Sequence, residues 1–362
     1  IKVDSVTGAT ITSYAIMNAV GDAIEQAGGN KDDFKTEMKS DEKIEDMTSD
    51  VVVVGGGGAG LAAAIAAGAD GATVTVIEKN GEVGGDTLVC GAIYNTPDEK
   101  LQKEVTMTDT VKTTVEKALS EKPVSDEHKA LQAEVKKQWD KYKADGRTDL
   151  FDSKEWYALQ TWINGDKVAN LDLVKKLCYD SYDAYEWIKD DLGMGFDDKI
   201  SQGAGSLWQR THTSTMKMGT GFISTYLDQI GAMDNVTIVT EATGKSLVKS
   251  DDKITGVVCE DKNGNEFTVT ANKGVVLSTG GFAANSKMVQ EYNTSGKWDD
   301  LSKLMTTNRT SSSQGDGIVM AKEAGASLTD MEQIQLLYLG NTKDGQLTKY
   351  PPRDVNGTDQ LI

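Results

Sequence analysis

Histidine, cysteine and proline are all scarce in this 362-residue chain, which holds two, three and four of them. Two histidines, His128 and His212, exclude a multi-histidine metal centre, and no metal site is expected. Cys90, Cys178 and Cys259 are widely scattered and odd in number, which suggests neither a disulfide framework nor a metal cluster. No apolar run approaches the ~20 residues that a membrane helix needs. Cations are outnumbered, 38 Lys and Arg against 56 Asp and Glu, for a formal charge of -18. Nucleic acid is thereby excluded as a partner, since phosphate binding needs clustered Lys and Arg. An acidic surface does not exclude a locally positive pocket for a small anion.

What the chain has in quantity is glycine, 37 residues, much of it in runs. The segment "SDVVVVGGGGAGLAAAIAAGAD" reads as a buried strand, a glycine turn and a small-residue helix, with "ATVTVIEK" as a second strand. Gly55, Gly57 and Gly60 fit G-x-G-x-x-G, with Ala59 inside the turn. The first glycine makes the tight turn, the second admits a pyrophosphate, and the third lets helix and strand pack closely. The helix N-terminus adds N–H groups and a positive dipole for phosphate. Glu78, at the end of the second strand, is placed to accept ribose hydroxyls, with Lys79 beside it. Further glycine turns follow at Gly84-Gly85-Asp86-Thr87 and Gly91-Ala92, then Thr279-Gly280-Gly281, then Gly315-Asp316. Turns so far apart suit a long extended dinucleotide, and FAD fits better than NAD.

Apolar spacing predicts a helix over 12–27, followed by a polar, acidic linker. From about 97 to 162 the composition turns charged and helical, and His128 there is expected to face solvent. A helix is predicted over Asn170–Gly193 and a β-meander over Val236–Thr270. Tryptophans such as Trp139, Trp156 and Trp187 are read as packing residues, and Cys90 as a small buried one. The chain opens at Ile1 without a signal-like segment and stops on "TDQLI", so it reads as part of a longer polypeptide.

The ordered motifs "VVVVGGGGAG", "EK", "GGDT", "VVLSTGGFAAN" and "GDGIVMAKEAGASLTDMEQIQ" resemble the FAD-binding part of the fumarate reductase flavoprotein family, which includes fumarate and urocanate reductases. The resemblance covers roughly Asp50 to the end, apart from the charged insertion near 97–150. It implies an α/β fold: a Rossmann-like FAD domain (50–362) with a β-meander and a helical insertion at about 97–162. It also implies that Ala242 passes its backbone near the adenine and that Asp316 holds the ribitol region. The opening stretch "DSVTGAT" satisfies D-x-x-[ST]-G-A-[ST] and is similar to the tail of FMN-binding domains whose last hydroxyl carries FMN through a phosphoester. Thr10 is then the covalent FMN site, 1–29 the end of an FMN-binding domain, and 30–49 an acidic linker.

In that family, reduced flavin gives hydride to the β-carbon of an α,β-unsaturated carboxylate, while His and Arg side chains hold the carboxylate. "LWQRTHTSTMKMGTG" is similar in character to the family's substrate-histidine segment, which makes His212, with Thr213, the substrate-binding candidate; its setting among Arg210, Thr211, Thr213, Ser214 and Thr215 favours an anion site. The proton-donating arginine is expected beyond Ile362. Three departures leave the acid open, fumarate or a bulkier enoate: Thr213-Ser214-Thr215-Met216-Lys217 replaces Arg-Pro-Thr-Gly-Gly, Ala92-Ile93 replaces Gly-Gly, and Leu337-Tyr338 replaces His-Pro. The resemblance further implies anaerobic respiration, an upstream donor (a quinol or redox protein), membrane attachment outside this chain and an extracytoplasmic or cell-surface location. Alternatives are an FAD-dependent dehydrogenase of related fold and a non-catalytic flavin electron carrier.

Overall fold

A computed structural model describes residues 19–30, 43–203, 206–306, 309 and 311–336. The chain divides into two compact units, one built from the sequence before and including Val89 and from Phe222 onward, the other from Cys90–Gly221.

The first unit is organised by a six-stranded sheet of order β5-β2-β1-β8-β7-β6. Strand β1 (Met47–Val54) pairs in parallel with β2 (Val74–Ile77) and β8 (Glu266–Leu277). Its valine run suits a strand covered on both faces, and Val52 and Val53 are fully buried. Helix α1 (Gly58–Ala69) follows directly. Strand β5 (Val236–Val239) pairs in parallel with β2, so it extends the doubly wound half rather than the predicted meander. The meander itself is β6 (Ala242–Ser250), β7 (Lys253–Asp261) and the first part of β8, all antiparallel. The long β8 thus joins both halves: its first residues face β7 and its last ones face β1. Val52, Val54, Ile77, Val257, Phe267 and Met320 form one core between these layers.

The second unit packs four helices, α2 (Asp109–Ser120), α3 (Asp126–Ala144), α4 (Lys154–Asn164) and α5 (Leu171–Glu186). A two-stranded ladder of β3 (Ile93–Asn95) and β4 (Thr211–Thr213) completes it. Each helix start is encoded locally: Ser125, Ser153 and Asn170 cap α3, α4 and α5 by accepting from first-turn N–H groups. The core is rich in aromatics, with Trp139, Phe151, Trp156, Trp162 and Trp208 buried together. The predicted helix at 170–193 is α5 followed by a π-helical turn, Trp187–Asp191.

His128 departs from its expected solvent-facing position. It is fully buried on the face of α3 that carries Leu131, Gln132, Val135, Trp139 and Tyr142, a helical stripe hidden among lysines and glutamates. Its Nδ1 accepts from Val124 N at 3.3 Å, and its ring stands edge-on to Trp162. Burial, then the charge of Lys167, holds it below the usual histidine pKa. Of the helix predicted at 12–27, residues 19–26 are helical, and the remainder lies outside the described residues.

Trp156 is fully enclosed and packs edge-on against Trp208 at 5.2 Å. Trp156→Ala is expected to destabilise the chain by about 3–5 kcal/mol, the usual cost of emptying such a site. Urea unfolding followed by circular dichroism measures it as a lower midpoint.

Candidate functional site

At the carboxyl end of β1, three backbones are drawn together. Gly55 N donates to Ile77 O and Ser278 N to Val54 O, both at 2.8 Å. Gly55 has φ +104°, and a Cβ on it would lie 2.4 Å from the Ser278 carbonyl oxygen. A Cβ on Gly60 would come within 1.9 Å of Gly55 O. These two glycines are therefore required by packing. Gly57 differs: it has an ordinary extended conformation, and a Cβ there would meet nothing within 4 Å. It begins α1 without any side-chain cap. An uncapped helix start beside open space is the arrangement that accepts a phosphate.

That space is a cavity of about 620 Å³, lined by Gly55, Gly57 and Ala59 from the first turn. Gly85, Asp86 and Thr87 line it from the second glycine turn, and Ala242 lines it from the start of β6. Glu78 projects into it from the end of β2, only 5 % exposed. Its carboxylate is fixed by three donors: Gly56 N reaches Oε2 at 2.9 Å, while Asn80 N and Nδ2 reach Oε1 at 2.8 Å each. Lys79 and Asp316 also line the cavity and pair with one another at 2.7 Å. Thr279 and Gly280 complete this wall, the Thr279 hydroxyl accepting from Gly317 N at 3.1 Å.

Other sequence-predicted residues shape the cavity without lining it. Gly60 is buried under the turn, and Gly84, at φ +112°, leaves room for Leu88. Gly281 accepts from Gly315 N, and Gly315, at φ +88°, turns the chain into α6 (Asp316–Glu323). Gly91 and Ala92 fall in the other unit. Ala92 holds φ +58° and accepts from Ser214 N, so a left-handed position is filled by a residue with a Cβ. Sequence reasoning missed Asn80, Thr243, Ser278, Ser312 and Ser313 as lining residues. It also missed Asp86 as a clamp, which accepts from Arg309 N at 2.9 Å and Ser313 Oγ at 2.5 Å. Only the turn-rich spelling "TSSSQGDG" hinted at the latter.

In the helical unit, His212 is fully buried on β4 with Tyr94 directly opposite in the ladder. Its ring lies 4.1 Å from that of Tyr185. Nε2 is 3.3 Å from Thr96 O, and Nδ1 has no partner. Burial lowers its pKa against the opposing pull of Asp98. Thr213 pairs with Ile93, and its carbonyl accepts from Asp197 N. Arg210, counted in the sequence among the residues that favour an anion site at His212, is not free to meet an anion. Its guanidinium forks onto Asp152 at 2.9 and 3.0 Å and stacks over Tyr157, and both charges are buried. Burial pushes the Asp152 carboxyl up to about 6 despite this partner. Buried thiols are likewise raised, Cys178 to about 11 and Cys259 to about 12. Cys90 is half-buried rather than buried. Thr10, Leu337 and Tyr338 lie outside the described residues.

A glycine cradle, a fixed acidic residue and a sheet whose strands end at the cavity define a dinucleotide-binding protein. A model of the FAD-binding domain family matches residues 50–340, and one of the FMN-binding domain matches residues 1–25. The chain belongs to the FAD-binding domain family, in the branch of the fumarate reductase flavoproteins. It is 32 % identical over 96 % of its length to NADH:acrylate oxidoreductase of Vibrio harveyi, covering 36 % of that protein. It is 28 % identical over 95 % of its length to urocanate reductase of Eggerthella lenta, covering 51 % of it. The chain thus spans about a third to a half of these relatives. The fold is that of a flavocytochrome c3 fumarate reductase, at TM-score 0.64 and 23 % identity over 86 % of this chain and 49 % of that one.

Two expectations follow from this geometry. Gly57→Ala should fold with stability within about 0.5 kcal/mol of the parent yet bind FAD at least about tenfold more weakly. Gly60→Ala should lower stability outright; thermal melts without FAD and flavin titration separate the two effects. Arg210→Met strands a buried carboxylate and should cost about 3–5 kcal/mol at pH 8. The loss should shrink at pH 5. In the parent, burial raises Asp152 to about 6 even with the lowering charge of Arg210 beside it; without that charge the folded carboxyl keeps its proton to still higher pH, so the variant gains more stability than the parent as pH falls. Denaturant melts at the two pH values check the sign.

Proposed function

We propose that this chain is the FAD-binding part of an enoate reductase, receiving electrons through FMN carried on Thr10 and delivering them to the C=C bond of a small unsaturated carboxylate. The observation that carries the assignment is the 32 % identity, over 96 % of the chain, to a relative named for acrylate reduction. The first unit supports it with a cavity that fits FAD: Gly57 leaves the phosphate space open, and Glu78 presents a fixed carboxylate for ribose. FAD, when bound, supplies hydride to the substrate.

His212 is assigned to the substrate carboxylate, with its unpartnered Nδ1 as the contacting atom. A buried polar atom without a partner costs about 1–3 kcal/mol, which a ligand removes. The donor is a quinol, a redox protein or, as in the names of two relatives, NADH. An extracytoplasmic location and a role in anaerobic respiration belong to the same proposal.

Reoxidation of a reduced viologen by the full-length, flavin-loaded protein tests it, with fumarate, urocanate, cinnamate, crotonate and acrylate as acceptors. One acid should turn over rapidly, and His212→Ala should lower kcat/KM for it by about ten- to a hundredfold. Thr10→Ala should lack covalent FMN by mass. Silence across the panel, with both flavins shown present, would exclude enoate reduction.

A further inference from the structure

Glu78 offers a nucleotide ribose its acceptor, and the count of its lone pairs limits what it can hold. A carboxylate has about four acceptor sites, two on each oxygen. Oε1 takes two donors from a single residue, the backbone N–H and the side-chain Nδ2 of Asn80, each at 2.8 Å. Oε2 takes Gly56 N at 2.9 Å. Oε1 is therefore full, and Oε2 has one site left. The two neighbouring hydroxyls of a ribose need a site on each oxygen to bind a carboxylate as a pair. Glu78 has room for only one of them.

The surroundings hold this arrangement in place. Glu78 N donates to Val239 O at 2.9 Å, Ala242 N to Glu78 O at 3.0 Å, and Glu241 N to Asn80 O at 3.0 Å. The turn after β2 is thus clasped along its backbone by the connection from β5 to β6, where Glu241 holds a left-handed φ of +54°. On the other side, a Cβ at Gly56 would stand 3.3 Å from Glu78 Oε2 and 2.8 Å from Val83 Cγ1, so the carboxylate is packed as well as bonded.

Asn80 lines the same cavity. A carboxylate only accepts, so the atom of the Asn80 carboxamide that faces Glu78 is its nitrogen. The carboxamide oxygen is left over, an acceptor with no bond among the described residues. We propose that Asn80 completes the ribose site: one hydroxyl donates to the open site on Glu78 Oε2, and the other donates to Asn80 Oδ1. The first bond is charge-assisted and the second is not, so the two hydroxyls contribute unequally. Asn80 thereby orients Glu78 and reads the sugar itself. The inference concerns the cofactor alone and is independent of which acid, if any, is reduced.

The experiment titrates the full-length protein, stripped of FAD, with FAD and with its 2′-deoxyadenosine and 3′-deoxyadenosine forms, followed by calorimetry. In the parent, removing the hydroxyl on Glu78 should weaken binding about ten- to a hundredfold, and removing the other about three- to tenfold. In Asn80→Ala the backbone N–H still holds Oε1; the smaller penalty should vanish and the larger should remain. Each penalty is a ratio taken within one variant, so a general loss of affinity or stability cancels. Two equal penalties in the parent, or a smaller penalty that survives in Asn80→Ala, overturns the proposal and leaves Glu78 as the ribose acceptor. A parent that binds all three ligands equally overturns the proposal together with the reading of Glu78.

Discussion

The close approach of Gly55, Gly60 and Ser278 is the constraint on which the cofactor unit depends. The Ser278 hydroxyl donates to the carbonyls of Val54 and Gly55, and the first turn of α1 sits directly on them. Three carboxyl strand ends are thus tied at one point, where an open parallel sheet offers its binding crevice. Every other cavity element is placed relative to that knot. Glu78 leaves β2 beside it and is held by Gly56 N, while Thr279 leaves β8 and anchors the start of α6. Side chains at 55 or 60 would push the strands apart before any ligand arrived.

The helical unit shows how environment separates two residues of one kind. His128 and His212 are both fully buried, and burial holds both below their usual pKa. The difference lies in which nitrogen the backbone engages. An amide N–H claims Nδ1 of His128, making that ring part of the approach to α3. A carbonyl claims Nε2 of His212 and leaves its acceptor nitrogen unpaired. Arg210, two residues earlier on the same segment, is wholly committed to Asp152. It anchors the chain leading into β4 rather than meeting an anion.

Much of the first unit was legible because its demands are local. The valine run, the spaced glycines and the acidic residue after β2 each state a steric or hydrogen-bonding requirement within a few positions. The pairing of β5 with β2 was not legible, because Val236–Val239 looks the same in a meander or a parallel sheet. His128 was misread because a charged composition masks a buried stripe that only its helical phase discloses. The Arg210–Asp152 pair joins residues 58 positions apart. No local pattern could announce it, so the sequence could count Arg210 among the residues that favour an anion site.

The pairing of β1 with β8 also sets an order of assembly. Ser278 meets Val54 across 224 positions of chain, with all of Cys90–Gly221 synthesised in between. During translation the helical unit, whose helices contact near neighbours in sequence, has its whole length available first. One edge of the valine-rich β1 can pair with β2 early, but the other must wait for β8, and parallel pairing over such a separation is slow to close. An unpaired edge of that composition is exposed to intermolecular pairing while it waits. The glycine knot therefore cannot close until Ser278 has been made, after the whole of the helical unit.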